Sequence, residues 1–133
     1  MNWTKAIIAG VVAGFVLWLA NFVMHGLIMA NAYTKYPVFS QEEANPILFL
    51  VIGILTSIMA AILFGKTRQS WGAGAMGGAT FGFFVGLVAF FPQFYNSIVF
   101  EGFPYHLNWC WGGIVLIGMV IMGAVLGLMI KKE

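Results

Sequence analysis

Asn21 and His25 are the two residues best placed for chemistry inside an otherwise uncharged apolar stretch. They stand four apart, so an α-helix there puts both on one face. Counted back through Trp18 to Gly14, that face continues a small-residue stripe, and it is expected to point into a helix bundle. Polar or ionisable groups inside a membrane span are functional candidates by default. The plainer reading is that Asn21 and His25 hydrogen-bond each other or nearby backbone and act as interhelical glue of modest energy. His25 follows Lys5 by about 20 residues, or about 30 Å of helix, which places it near the membrane surface opposite Lys5.

His106 is the second histidine, and it follows the turn-like segment Glu101-Gly102-Phe103-Pro104-Tyr105. Histidine can carry protons or ligate a metal or haem. Two histidines on one side allow a bis-histidine haem or a weak metal site, whereas structural zinc usually needs four ligands. His25 and His106 are therefore weak cofactor candidates, and the chain is expected to need neither cofactor nor metal. Cys110 would need a lowered pKa beside a base to act as a nucleophile. His106, four residues earlier, could supply that base if the turn is helical, but Cys in such a setting is usually a small buried hydrophobe. Asn21, His25, Glu101 and His106 together form the candidate polar site. No catalytic residue is assigned, and the chain is read as a non-enzyme.

Other motifs carry less. Gly72-Ala73-Gly74-Ala75-Met76-Gly77 fits the dinucleotide pattern GxGxxG, but no strand precedes it and no acidic residue follows until Glu101. Asn2-Trp3-Thr4 fits a glycosylation sequon at an end expected to face the cytoplasm. The single cysteine permits no internal disulfide.

The elements that must position these residues are four apolar stretches, about 6–30, 46–65, 72–91 and 109–130, none of which contains Asp, Glu, Lys or Arg. Each is about as long as a bilayer-spanning helix of roughly 20 residues. Charged residues make up 8% of the chain, against about 25% in a typical soluble domain, so the apolar surface needs lipid to cover it. Residues 1–133 are expected to form a single all-α domain, a four-transmembrane-helix bundle. The first stretch is longer than the 7–15 residues of a signal-peptide core, so it is read as a span even though Lys5 and Ala30-Asn31-Ala32 imitate a leader. A net charge of +2 offers no basic field for nucleic acid.

Lys5, Lys66, Arg68, Lys131 and Lys132 fall on one side of such a bundle and hold five of the six Lys/Arg residues. Lys35, Glu42, Glu43 and Glu101 fall on the other. The positive-inside bias then puts both termini in the cytoplasm of a bacterial inner membrane. The outer connections are rich in aromatics, among them Tyr33, Tyr36, Phe39, Phe94, Phe103 and Tyr105, and Trp109 and Trp111 follow. These form either an interfacial belt or a folded cap over a vestibule. Pro92 is expected to end or kink the third span.

Helix contacts are also written in the sequence. Gly74, Gly78, Gly82 and Gly86 recur every four residues and form one smooth ridge on the third span. Glycine costs about 1 kcal/mol against alanine in a helix measured in water, so close approach by a neighbouring helix must offset the ridge. Whether that neighbour lies in the same chain or in another subunit is left open. Gly10 and Gly14 in the first span, and Gly123 and Gly127 in the fourth, are lesser versions. Ile58-Met59-Ala60-Ala61-Ile62-Leu63 reads like Ile121-Met122-Gly123-Ala124-Val125-Leu126, as a parallel duplication would.

Over about 74–128 the chain resembles a bacterial family of small four-helix membrane proteins of unknown function. The resemblance rests on Gly82-Phe83 with Gly86, Pro92, Glu101-Gly102 with Pro104, Asn108 and Met122-Gly123, together with the opening Met1-Asn2-Trp3. It implies the same topology and no particular activity. The leading expectation is a non-catalytic structural or accessory subunit, packed against itself or a larger complex through the third-span ridge. A small-solute or ion carrier acting as a homo-oligomer is second, weakened by the absence of any carboxylate within a span. A haem- or metal-binding membrane protein is third.

Overall fold

The computed structural model describes residues 1–39 and 45–132, and those residues form helices and turns. Glu42 and Glu43, counted above among the loop charges, lie outside the described residues. Helix α1 (Trp3–Asn21) starts where the Asn2 side chain accepts from the Lys5 backbone N–H at 3.0 Å, an N-cap that satisfies an otherwise orphaned donor. It runs into a π-helical segment, Phe22–Ile28, and then a short α2 (Ala30–Tyr33). Asn45 caps α3 (Pro46–Lys66), with Pro46 at the first helical position where its missing N–H costs nothing. Helix α4 (Gly74–Phe90) passes through a 3-10 segment, Phe91–Tyr95, into α5 (Asn96–Val99). Helix α6 (Tyr105–Met129) closes the chain.

Among the described residues, four helical stretches are long and apolar enough to cross a membrane: Trp3–Ile28, Pro46–Lys66, Gly74–Val99 and Tyr105–Met129. The spans differ in several respects from those read off the sequence, and the third runs on to Val99 rather than 91. The first span is not α-helical throughout. Its ladder shifts register, so that Met29 N–H bonds the Met24 carbonyl five residues back. The third starts at Gly74 rather than 72, because Gly74 sits at φ +62°, a conformation that glycine adopts freely and that sets the entry to the helix. The fourth starts at Tyr105 rather than 109. Extended backbone at Pro104 releases it early, and its first turn, which buries Leu107 and Asn108 but exposes His106, is too polar to read as span. The α-helix of the third span ends at Phe90, just before Pro92, as expected. Pro92 sits where the α-helix tightens to 3-10 geometry.

The spans pack as two antiparallel pairs, α1 with α3 and α4 with α6, and α1 also lies against α6. Both pairs are joined backbone to backbone. A β-carbon placed on Gly10 would come within 2.6 Å of Ile58 Cα, and one on Gly78 within 2.6 Å of the Gly127 nitrogen. Gly82 faces Met119 and Val120, and Gly86 faces Leu116. The third-span ridge is thus spent inside the chain, on α6, and Gly123 and Gly127 are its counterpart. Gly14 lies against Gly53 and Ile54 in the same way. Gly74 is the exception, since open space surrounds its would-be β-carbon and its glycine is required by the positive φ.

Between the pairs lies a core of side chains: Leu17, Phe64, Phe81, Met122 and Leu126. The sequence-similar halves are not joined symmetrically, because α1 packs on α6 far more than its counterpart α4 packs on α3. Met1 beside Gly65, Lys66 over the Trp3 ring, and Arg68 on Ile130 gather both chain ends and the α3–α4 connection at one end of the bundle.

Candidate functional site

At the other end, the π-helical segment and α2 turn back over the top of α6. Tyr33 is the hub. Its hydroxyl accepts from Trp111 Nε1 at 2.8 Å and lies 2.5 Å from His25 Nδ1. With the oxygen accepting from the indole, the hydroxyl proton can be donated to Nδ1, and the neutral imidazole then carries its own proton on Nε2. Burial pushes the Tyr33 pKa above the ordinary tyrosine value, with the Trp111 bond opposing and nearby Cys110 adding to the rise. Phe39 packs edge-on to Tyr33 and lies against both Phe103 and Trp111. These ring contacts join Tyr33 and Phe39 to Phe103 and to Trp111 of α6.

Asn21 and His25 both approach α6, whereas Gly14, whose stripe they were expected to continue, lies against Gly53 and Ile54 of α3. Asn21 Oδ1 lies where a Gly118 side chain would begin, and the His25 ring meets Trp111 at 6.1 Å. The hydrogen bond of His25 goes to Tyr33, a partner named by neither sequence reading. His106 is exposed on the first turn of α6 and packs on Tyr36 at 6.1 Å. The ring contacts of the two histidines are therefore with different tyrosines, and the rings of Tyr33, Phe39 and Trp111 fill the region around His25. Glu101 is exposed in a turn beside Gly102, whose φ is +79°. Among the described residues, no group of three or more His, Cys, Asp or Glu side chains could hold a metal ion. No family model, curated protein or solved structure matches the chain.

Three polar residues do more than the sequence suggested. Asn108 is fully buried and donates to Ser97 Oγ at 2.8 Å, tying α5 to α6. Its Oδ1, like the Oγ of buried Ser57, has no partner among the described residues. Ser57 continues the small-residue stripe of α3, so its size is what that packing uses. Arg68, read from sequence as part of a short polar turn, is 5% exposed. Its Nε donates to the Ile130 carbonyl at 2.6 Å, and a terminal nitrogen donates to the Trp71 and Gly72 carbonyls. The guanidinium also lies over Phe64 at 4.9 Å. Placing a cation at the α6 C-terminus satisfies orphaned carbonyls and complements the helix dipole. Two nitrogens held apart in a planar fork reach these three carbonyls, a spread that a lysine ammonium with all its donors on one atom does not reproduce.

Proposed function

We propose that this chain is a non-catalytic structural or accessory protein of a bacterial inner membrane, with both termini in the cytoplasm. On this reading it belongs with the small four-helix membrane proteins that its third and fourth spans resemble. The observation that carries the proposal is the use made of the polar groups at the two ends. Tyr33 engages His25 and Trp111, and Arg68 engages Ile130, Trp71 and Gly72, so these groups hold helices together. The outward faces are apolar, as shown by Ile52, Leu55 and Met59 on α3 and Ile8, Val12 and Phe15 on α1. Because the glycine ridge is buried against α6, association with a partner uses these outward faces.

Purification from native membranes with mass spectrometry tests the reading. A stable heteromeric partner is expected. A lone homo-oligomer that carries solute across liposomes would overturn it in favour of transport. An alkaline-phosphatase fusion at the C-terminus is expected to be inactive, and activity there would reverse the orientation.

A further inference from the structure

The π-helical segment Phe22–Ile28 and α2 contribute no buried residue, so little apolar packing holds them on α6. What does hold them converges on Trp111. Its Nε1 donates to the Tyr33 hydroxyl at 2.8 Å, and the His25 and Phe39 rings lie against it at 6.1 and 5.7 Å. Segments with few buried contacts open at small free-energy cost. A single hydrogen bond therefore weighs heavily in whether this junction stays closed.

Both bonds of the Tyr33 hydroxyl form together when the donors run one way. Trp111 Nε1–H donates to the oxygen, and the O–H donates to His25 Nδ1, which accepts only while unprotonated. A proton added to this imidazole goes to Nδ1, because Nε2 already carries one, and Nδ1 becomes a donor. The imidazolium N–H and the indole N–H then aim at one oxygen, and the O–H that lay between oxygen and nitrogen must turn away. A hydrogen bond from a cation is roughly twice as strong as one between neutral groups, so His25 keeps the oxygen and Trp111 loses it.

The surrounding groups leave that proton to His25. It is the one titratable side chain of its segment and lies in the segment's last turn, near the end of the first span at Ile28. Tyr33 comes from α2, and burial raises its pKa, so it stays a hydroxyl through the acidic and neutral range. From α6 come Cys110, which adds to that rise, and exposed His106, whose ring meets Tyr36. Lys35 after α2 and Glu101 before α6 are exposed, where salt and water screen them.

We propose that Trp111, Tyr33 and His25 form a pH-sensitive latch, in which protonation of His25 reverses its bond to Tyr33, frees Trp111 and loosens the π-helical segment and α2 from α6. The proton comes from water at this end of the bundle, and the latch is independent of whether the chain acts as a subunit or a carrier. Loss of one hydrogen bond of ordinary net worth raises the open population roughly fivefold.

Heteronuclear NMR of the ring nitrogens tests the latch in the full chain in nanodiscs. At the upper end of a titration from about pH 8 to about pH 5, His25 is expected to carry its proton on Nε2 and none on Nδ1. On acidification the ring is expected to become an imidazolium, and in the same step the Trp111 indole proton should shift and exchange with solvent roughly fivefold faster. His25→Gln is expected to abolish the Trp111 response, and His106→Gln to keep it. A proton on Nδ1 at the upper pH, a ring still neutral at the lower, or an imidazolium that leaves the Trp111 indole unmoved would each overturn the latch. So would a folded His25→Gln protein whose Trp111 still responds. The wild-type titration needs no variant, so it decides the matter even if His25→Gln does not fold.

Discussion

Replacing Gly82 by alanine adds one methyl group where α4 lies against the α6 backbone. That β-carbon would stand 2.8 Å from the Met119 carbonyl carbon and 3.0 Å from Val120 Cα, and closer still to the Met119 oxygen, where ordinary contact starts at 3.4 Å. All three neighbours are backbone, so no rotamer change relieves the clash and the two helices must part. A gap of 0.5–1 Å forfeits roughly a quarter to a half of each dispersion contact it opens, and Gly78 and Gly86 share the same interface. Overpacking of this kind costs about 1–3 kcal/mol, against which alanine recovers up to about 1 kcal/mol of helix propensity. Gly113→Ala is the control on the same helix pair, because nothing lies within 4 Å of its β-carbon position and only the propensity gain applies. The two alanine variants should therefore differ by about 2 kcal/mol, with Gly113→Ala the more stable. Reversible unfolding in mixed micelles by SDS titration measures this directly. A Gly82→Ala protein as stable as Gly113→Ala would refute the claim that the ridge is spent on α6.

Tyr33→Phe removes the group shared by His25 and Trp111 while keeping the ring. Leaving those two partly buried groups without their partner should cost about 1–3 kcal/mol and shift tryptophan emission from the outer end. The same residue sets a pH dependence. A folded-state pKa raised above 10.0 means that the contribution of Tyr33 is complete below that value and lost as pH rises through the folded pKa, so the wild type should lose stability above pH 10.0 faster than Tyr33→Phe. Arg68→Lys keeps the charge but cannot span three carbonyls. It should lower stability by about 1–3 kcal/mol and speed tryptic cleavage at Lys131 and Lys132, which limited proteolysis reads directly.

The charge pattern and apolar length predict four spans because lipid imposes a requirement that each span meets alone. The glycine spacing likewise announced a tight contact, since i, i+4 glycines have few other uses in a helix. Its partner was not legible. Gly78 finds Gly127, and Gly82 finds Met119, through the relative offset of α4 and α6, which no local pattern encodes. The surroundings of the polar residues were only partly legible. Asn21 and His25 were found by their rarity within a span, but Tyr33 looked like one aromatic among many near the interface. Its role comes from the π-helical register shift after Asn21, which carries α2 back over Trp111. Gly26 lies within that segment, and its sequence alone gave no sign of the shift. Arg68 was hidden because a basic residue between two spans already has a use in the expected positive-inside bias, so nothing prompted a search for a second role.

These particulars define how the molecule can deform. Within each pair, backbone meets backbone through glycines, so neither pair can slide without a clash. Between the pairs the contact is made by side chains such as Leu17 and Met122, with polar links at both ends. Tyr33 fastens the first span to Trp111, and Arg68 fastens the α3–α4 connection to Ile130. Trp111 and Ile130 stand roughly 28 Å apart along α6 at 1.5 Å per residue, well beyond the 7–10 Å within which mutations usually couple. If the pairs are held rigidly by their side-chain core, combining Tyr33→Phe with Arg68→Lys should cost the sum of the separate losses to within about 0.5 kcal/mol. Coupling larger than that has one mechanical source, in which the remaining lock acts as a pivot about which one welded pair swings against the other. The double variant therefore measures whether this is one rigid body or two, and that property decides whether a partner bound at one end can be felt at the other.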